Sequence, residues 1–216
     1  YNSSQVSNVN EIKSKIMSVL NTFSTSNINK FGGRFKYSKL GQIIDSADSS
    51  ITSNITRVII RRNMKVLLNQ SAQYEICYGN SFKKNAGGFN IKSTGFTLAN
   101  QTGTLYFTDV PDATGDMGVL SVVRQSSESN EYTVIAKSAG TIDYKKGEII
   151  VNTLNITSTV KPNSIIEIQA FPDSNDVIGL KDLYLSFSVA DSTINMVKDT
   201  ISSGEQISGV GYKTTS

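Results

Sequence analysis

From Val9 to Phe23 the apolar residues Val9, Ile12, Ile16, Val19, Leu20 and Phe23 recur at spacings of three and four. That is the period of one helical face, so the spacing predicts an amphipathic helix over 9–23. Ser7 or Asn10 is the expected N-cap, and Glu11 lies in the first turn, where the helix dipole favours negative charge. Asn27-Ile28-Asn29 and Gly32-Gly33 mark its end. A second helix of about three turns follows, with Leu40, Ile43 and Ile44 on one side. The run Asp45-Ser46-Ala47-Asp48-Ser49-Ser50 breaks it with side chains that cap and turn.

At Asn54 the period changes to two. Val58, Ile60, Met64, Val66 and Leu68 share one face, interrupted by Arg62, while Arg57, Arg61, Asn63 and Lys65 populate the other with Ile59 and Leu67. This predicts a long, half-buried strand over 54–68. The remainder reads as β almost throughout. Tyr74, Ile76 and Tyr78 alternate with Glu75 and Cys77, and further strands are expected over 89–98, 104–110, 119–124, 131–137, 148–153, 164–171 and 183–189. Gly, Pro, Asn and Asp clusters separate these runs. In the clearest hairpin, Ala139 to Asn152, the loop closes on Gly147, a residue able to take the left-handed backbone of a bulged turn.

The pattern therefore predicts an α+β fold, with N-terminal helices leading into a long strand and then a mostly antiparallel β-rich body, sandwich or barrel-like. The expected division is a helical lead-in with elbow and strand over 1–69, a β body over 70–201 and a polar tail over 202–216.

Composition supports the β reading. Ser, Thr and Asn number 30, 19 and 19 in 216 residues, and such side chains favour turns, caps and solvated strand faces over helix interiors. The formal charge is +3, too small and diffuse to imply a nucleic-acid partner. No run approaches the ~20 apolar residues that span a bilayer. The single cysteine, Cys77, excludes an internal disulfide and suits a reducing assembly compartment. The chain opens on Tyr1 with no signal-peptide pattern, so a processed product or a fragment is expected.

Histidine is absent, which removes Ser-His-Asp and Cys-His chemistry and His-containing zinc sites. The one carboxylate cluster is Asp109, Asp112 and Asp116. Spacings of three and four do not match a calcium loop of the EF-hand kind, and a solvated turn is the expected state; a carboxylate enzyme would have to draw on the same three residues. No cofactor, metal or catalytic residue is expected. Arg57, Arg61 and Lys65 form a basic row on one strand face, either solvated or facing an acidic partner, with no interleaved aromatic residues for base stacking. The stripe Ile12, Ile16, Leu20 and Phe23 must cover this chain's own sheet or a second subunit. These seven residues are the candidate subunit interface.

The unit Lys39-Leu40-Gly41-Gln42-Ile43-Ile44-Asp45, then Ser49 to Ile51, then the run from Asn54, resembles the helix–elbow–strand of baseplate J-like proteins. The hairpin Gly140-Thr141-Ile142-Asp143-Tyr144-Lys145-Lys146-Gly147-Glu148-Ile149 is similar to their later β region. In composition and order the whole chain resembles the C-terminal part of the wedge proteins that form the inner baseplate ring of T-even-type contractile-tailed phages. The resemblance implies a non-enzymatic structural protein of the virion, assembled in the host cytoplasm. Its implied partners are a second copy, as a homodimer, and other baseplate wedge proteins, with no nucleic acid and no membrane insertion. A receptor- or carbohydrate-binding β-module is the alternative, with Tyr74, Tyr78, Tyr106 and Tyr132 as stacking surfaces.

Overall fold

Residues 1–126, 131–180 and 184–200 are described by the structure, a computed structural model. By contacts the chain forms two units, Tyr1–Thr56 with the described part of Lys181–Ser216, and Arg57–Leu180.

In the first unit the 3–4 periodicity yields helix α1, Val9–Phe23. Its cap is Asn8, between the two expected positions: the Asn8 Oδ1 accepts from the Asn10 amide at 3.0 Å, because the residue just outside the first helical turn meets that orphan donor. The helix does not stop at Phe23 but widens into a π turn, Ser24–Ile28, closed by the Asn29 amide on the Ser24 carbonyl at 3.0 Å. A two-residue strand β1, Arg34–Phe35, leads into helix α2, Tyr37–Asp45. Leu40 is the fully buried residue of α2, with Ile43 and Ile44 half-buried beside it.

Ile12, Ile16, Leu20 and Phe23 are all buried within this unit. Each such side chain taken out of water stabilises by about 1.5–3 kcal/mol. Phe23 meets Phe35 edge-on at 6.1 Å, and Phe187 lies parallel to Phe35 at 6.4 Å. The expected strand over 183–189 is absent from its described part. Leu183 lies outside the described residues, Tyr184 makes an isolated bridge with Phe31, and Leu185, Phe187 and Val189 are half-buried without a ladder. Of these, Phe187 packs on Phe35 and its carbonyl accepts from Ser24 Oγ at 3.4 Å. The expected tail over 202–216 also lies outside the described residues.

The expected long strand is shorter than its pattern. Residues 51–59 carry no ladder, since side chains tie them to α2: Asn54 Nδ2 donates to Asp45 Oδ1 at 2.7 Å and to the Gly41 carbonyl at 3.2 Å, and the Tyr37 hydroxyl donates to the Thr56 carbonyl at 3.0 Å. Pairing starts at β2, Ile60–Lys65, where Met64 is buried and Asn63 and Lys65 are exposed as the alternation requires.

The second unit continues with β3 (Ser71–Cys77), β4 (Lys92–Ser93), β5 (Phe96–Leu98), β6 (Tyr106–Pro111), β7 (Met117–Gln125), β8 (Tyr132–Asp143), β9 (Glu148–Thr159), β10 (Ile165–Ala170) and β11 (Val177–Ile178). One sheet has the order β2-β10-β4. The other runs β3-β9-β8-β7-β6, with β5 beside the far half of β9. Every ladder within these two sheets is antiparallel. Their shared core includes Phe82, Phe96, Phe107, Leu120, Ile142, Ile149, Ile156 and Ile168.

Strands β8 and β9 outrun the expected segments, and in β9 a bulge shifts the inward phase from Ile149 and Val151 to Leu154 and Ile156. The expected strand over 89–98 instead splits. Phe89 sits in the left-handed region at φ 59°, and Asn90 and Ile91 bond to a side chain rather than to a neighbouring strand. The β8–β9 hairpin closes as its sequence requires. Asp143 pairs with Glu148, the Gly147 amide donates to the Asp143 carbonyl at 2.9 Å, and Gly147 takes φ 67°.

Candidate interaction site

The three carboxylates read as one cluster do different things. Asp112 and Asp116 do sit in the turn between β6 and β7. The Asp112 Oδ1 accepts from Thr114 Oγ1 at 2.7 Å and from the Gly115 amide at 2.8 Å, which holds its carboxyl below the usual carboxylate range. Asp116 pairs with Lys145 at 2.9 Å and Lys84 at 3.1 Å, and is likewise held down.

Asp109 departs from the expected solvated turn, because its place in β6 faces it into the core, where it is fully buried. A carboxylate there must be saturated with donors. Its Oδ1 accepts from the Ile91 amide at 2.7 Å, and its Oδ2 from Asn90 Nδ2 at 2.7 Å and the Tyr144 hydroxyl at 2.6 Å. Burial and this bond push the Tyr144 hydroxyl pKa up. The arrangement clamps the 85–91 loop onto β6 and leaves none of the three carboxylates poised as an acid, base or nucleophile. Among the described residues no group of three metal-ligating side chains gathers, and no helix is long and apolar enough to cross a membrane.

The basic row is also divided. Arg61 is half-buried, 3.4 Å from Glu167 on the adjoining strand β10, and Lys161 approaches the same carboxylate at 3.5 Å. Burial works against the ionised Glu167, but Gln169, Arg61 and Lys161 outweigh it and hold its pKa below the ordinary value. Arg57 and Lys65 remain exposed. The apolar stripe of α1 is packed within its own unit. Of the four tyrosines, Tyr78 is buried with its hydroxyl donating to the Ile168 carbonyl at 2.6 Å, Tyr74 and Tyr106 are half-buried, and Tyr132 is exposed beside Phe89 at 5.2 Å.

Two features escaped the sequence reading. Arg62, which interrupted an apolar face, donates to the Cys77 carbonyl in a groove of about 330 Å³ between β2 and β3, strands that lie at the edges of different sheets. In the first unit a concavity of about 420 Å³ is ringed by Lys30, Arg34, Lys36 and Lys39, with Phe23, Ser26, Asn27 and Gly32 completing the wall. All four cationic residues are exposed. Arg34 and Lys36 flank the buried Phe35, so strand alternation turns both outward, and Lys39 follows Lys36 at helical spacing. Among the described residues no carboxylate belongs to the rim. The signal was present in the sequence, since no Asp or Glu occurs between Glu11 and Asp45.

Residues 1–63 match the family described as baseplate structural protein gp6, C-terminal domain III. No curated protein matches the chain. The match covers the N-terminal helices and reaches into β2, and the family is described by a structural role rather than a reaction. The chain thus carries, in its first 63 residues, a structural domain of the phage-baseplate kind, one described by a structural and not an enzymatic role.

Proposed function

We propose that the chain is the C-terminal part of a baseplate wedge protein of the J-like kind. In this reading it self-associates, contacts neighbouring wedge subunits and helps close a ring around the hub of a contractile tail, within a virion assembled in the host cytoplasm. The observation that carries this reading is the match of residues 1–63 to a baseplate structural domain. The dispersed carboxylates agree with it, since a protein that acts by shape needs saturated polar groups rather than poised ones.

A ring is built from head-to-tail contacts whose rotation closes, and two-fold contacts join neighbouring subunits. With Ile12, Ile16, Leu20 and Phe23 packed inside their unit, such contacts fall to exposed surfaces, of which Arg57 and Lys65 are part. Native mass spectrometry and sedimentation at high micromolar concentration test the proposal. A dimer, or co-assembly with wedge subunits, supports it; a monomer that binds no wedge subunit overturns it.

The receptor- or carbohydrate-binding alternative is favoured by one observation, the exposed ring pair Phe89–Tyr132. Saturable glycan binding lost in Tyr132→Ala is the result that would move the assignment there.

A further inference from the structure

Within the first unit, Lys30, Arg34, Lys36 and Lys39 surround one concavity, and among the described residues no acidic side chain lines it. Elsewhere Lys15, Lys84 and Lys145 show what happens when a carboxylate is in reach, each forming an ion pair at 2.5–3.1 Å. Lys30, Arg34 and Lys39 have no such partner among the described residues. Like charges held around one hollow repel one another, and a complementary anionic surface relieves that repulsion.

Beside them stands Phe31, 72% exposed, meeting the 58% exposed Tyr184 edge-on at 6.2 Å. An exposed aromatic pair beside an arginine is the composition of a protein-binding anchor. The size points the same way. A hollow of about 420 Å³ accepts several side chains, where a single phosphate would leave most of it to water.

We propose that the hollow ringed by Lys30, Arg34, Lys36 and Lys39 docks an acidic protein segment, a loop or strand carrying several Asp or Glu residues, from a neighbouring baseplate subunit. The inference rests on the proposed structural function and names the chemistry of one of its partners. Phe31 and Tyr184 supply the apolar anchor, and Lys30, Arg34 and Lys39 set the register.

The test uses the whole chain and a fluorescein-labelled octaglutamate, read by anisotropy. The variant Lys30→Gln/Arg34→Gln/Lys39→Gln is compared with Lys83→Gln/Lys92→Gln/Lys137→Gln, which removes the same charge from exposed sites of the other unit. Expected is a rise in Kd of about tenfold for the first variant and less than about twofold for the second, with binding abolished in high salt. Equal changes in both variants overturn the site. So does tighter binding of an octathymidylate through the same residues, which makes the partner a nucleic acid, or displacement of the peptide by millimolar inorganic phosphate. The single Arg34→Gln provides the readout if the triple variant unfolds. Native mass spectrometry separates the two claims. Binding through these residues by a chain that never assembles refutes the wedge role alone, and assembly with both variants behaving alike refutes the docking site alone.

Discussion

Asp109→Ala removes a fully buried carboxylate that accepts three hydrogen bonds of 2.6–2.7 Å. Its loss orphans the Ile91 amide, the Asn90 amide group and the Tyr144 hydroxyl. A buried donor without a partner costs about 1–3 kcal/mol. Asn90 retains its 3.3 Å bond to the Asn85 carbonyl, so the three losses do not add fully, and about 3–5 kcal/mol is expected in total.

Asp109→Asn keeps the shape but places an NH₂ where one of two donor sets points. Its expected cost is smaller, about 1–2 kcal/mol. Urea unfolding followed by circular dichroism reads these values from the shift in midpoint at constant slope. A double-mutant cycle with Tyr144→Phe isolates the shared bond, with an expected coupling of about 1–3 kcal/mol. If Asp109→Ala costs under about 1 kcal/mol, or the cycle is additive, the clamp is not what holds the 85–91 loop, and the reasoning fails.

Three further outcomes follow from the same structure. Asp48, Asp112, Asp116, Asp143 and Glu167 all have folded pKa values below their ordinary ones, so they add stability above the ordinary carboxylate range and lose it as pH falls through that range toward their folded values. With no histidine in the chain, unfolding midpoints are expected to stay level between about pH 5.5 and 8 and to drop below about pH 4; a slope near pH 6.5 contradicts this. Gly147→Ala places a Cβ against the Asn80 backbone at a positive φ and is expected to lose about 1–3 kcal/mol, read as a lower Tm; an unchanged Tm means the turn relaxes. Leu20→Ala opens a cavity in the α1 packing and is expected to cost about 2–5 kcal/mol, whereas Ser18→Ala on the solvated face of the same helix stays within about 0.5 kcal/mol.

The helix α1 was legible to the residue because its four buried positions recur at each of three successive turns and nothing competes with that period. The β8–β9 hairpin was legible because one glycine at a positive φ closes it. Failures arose where two patterns collide. Residues 54–59 alternate like a strand, yet Asn54 and Tyr37 bind that stretch to α2 before any strand reaches it. The alternation in 183–189 is genuine, but among its described residues Phe187 stacks on the ring of Phe35 instead of joining a ladder.

Asp109, Asp112 and Asp116 look like neighbours in one dimension. The end of β6 sends the first inward while the turn sends the other two out. The basic hollow was hidden for a related reason. It combines a π turn, a two-residue strand and the start of a helix, so no single period gathers its four cations.

One consequence concerns the order in which the chain can fold as it is made. Phe187 stacks on Phe35, and the Asp199 amide bonds to the Tyr1 carbonyl at 2.8 Å, so the unit begun by the first residues is finished by some of the last. At roughly 5–20 residues per second, translating 57–180 delays those closing contacts by on the order of ten seconds. Through that interval the emerging helices wait incomplete, and at its end the β-rich unit has all of its strands. A nascent-chain protease digest should therefore find 57–180 resistant first, with Phe35 and its surroundings protected only once residues 184–200 have left the ribosome.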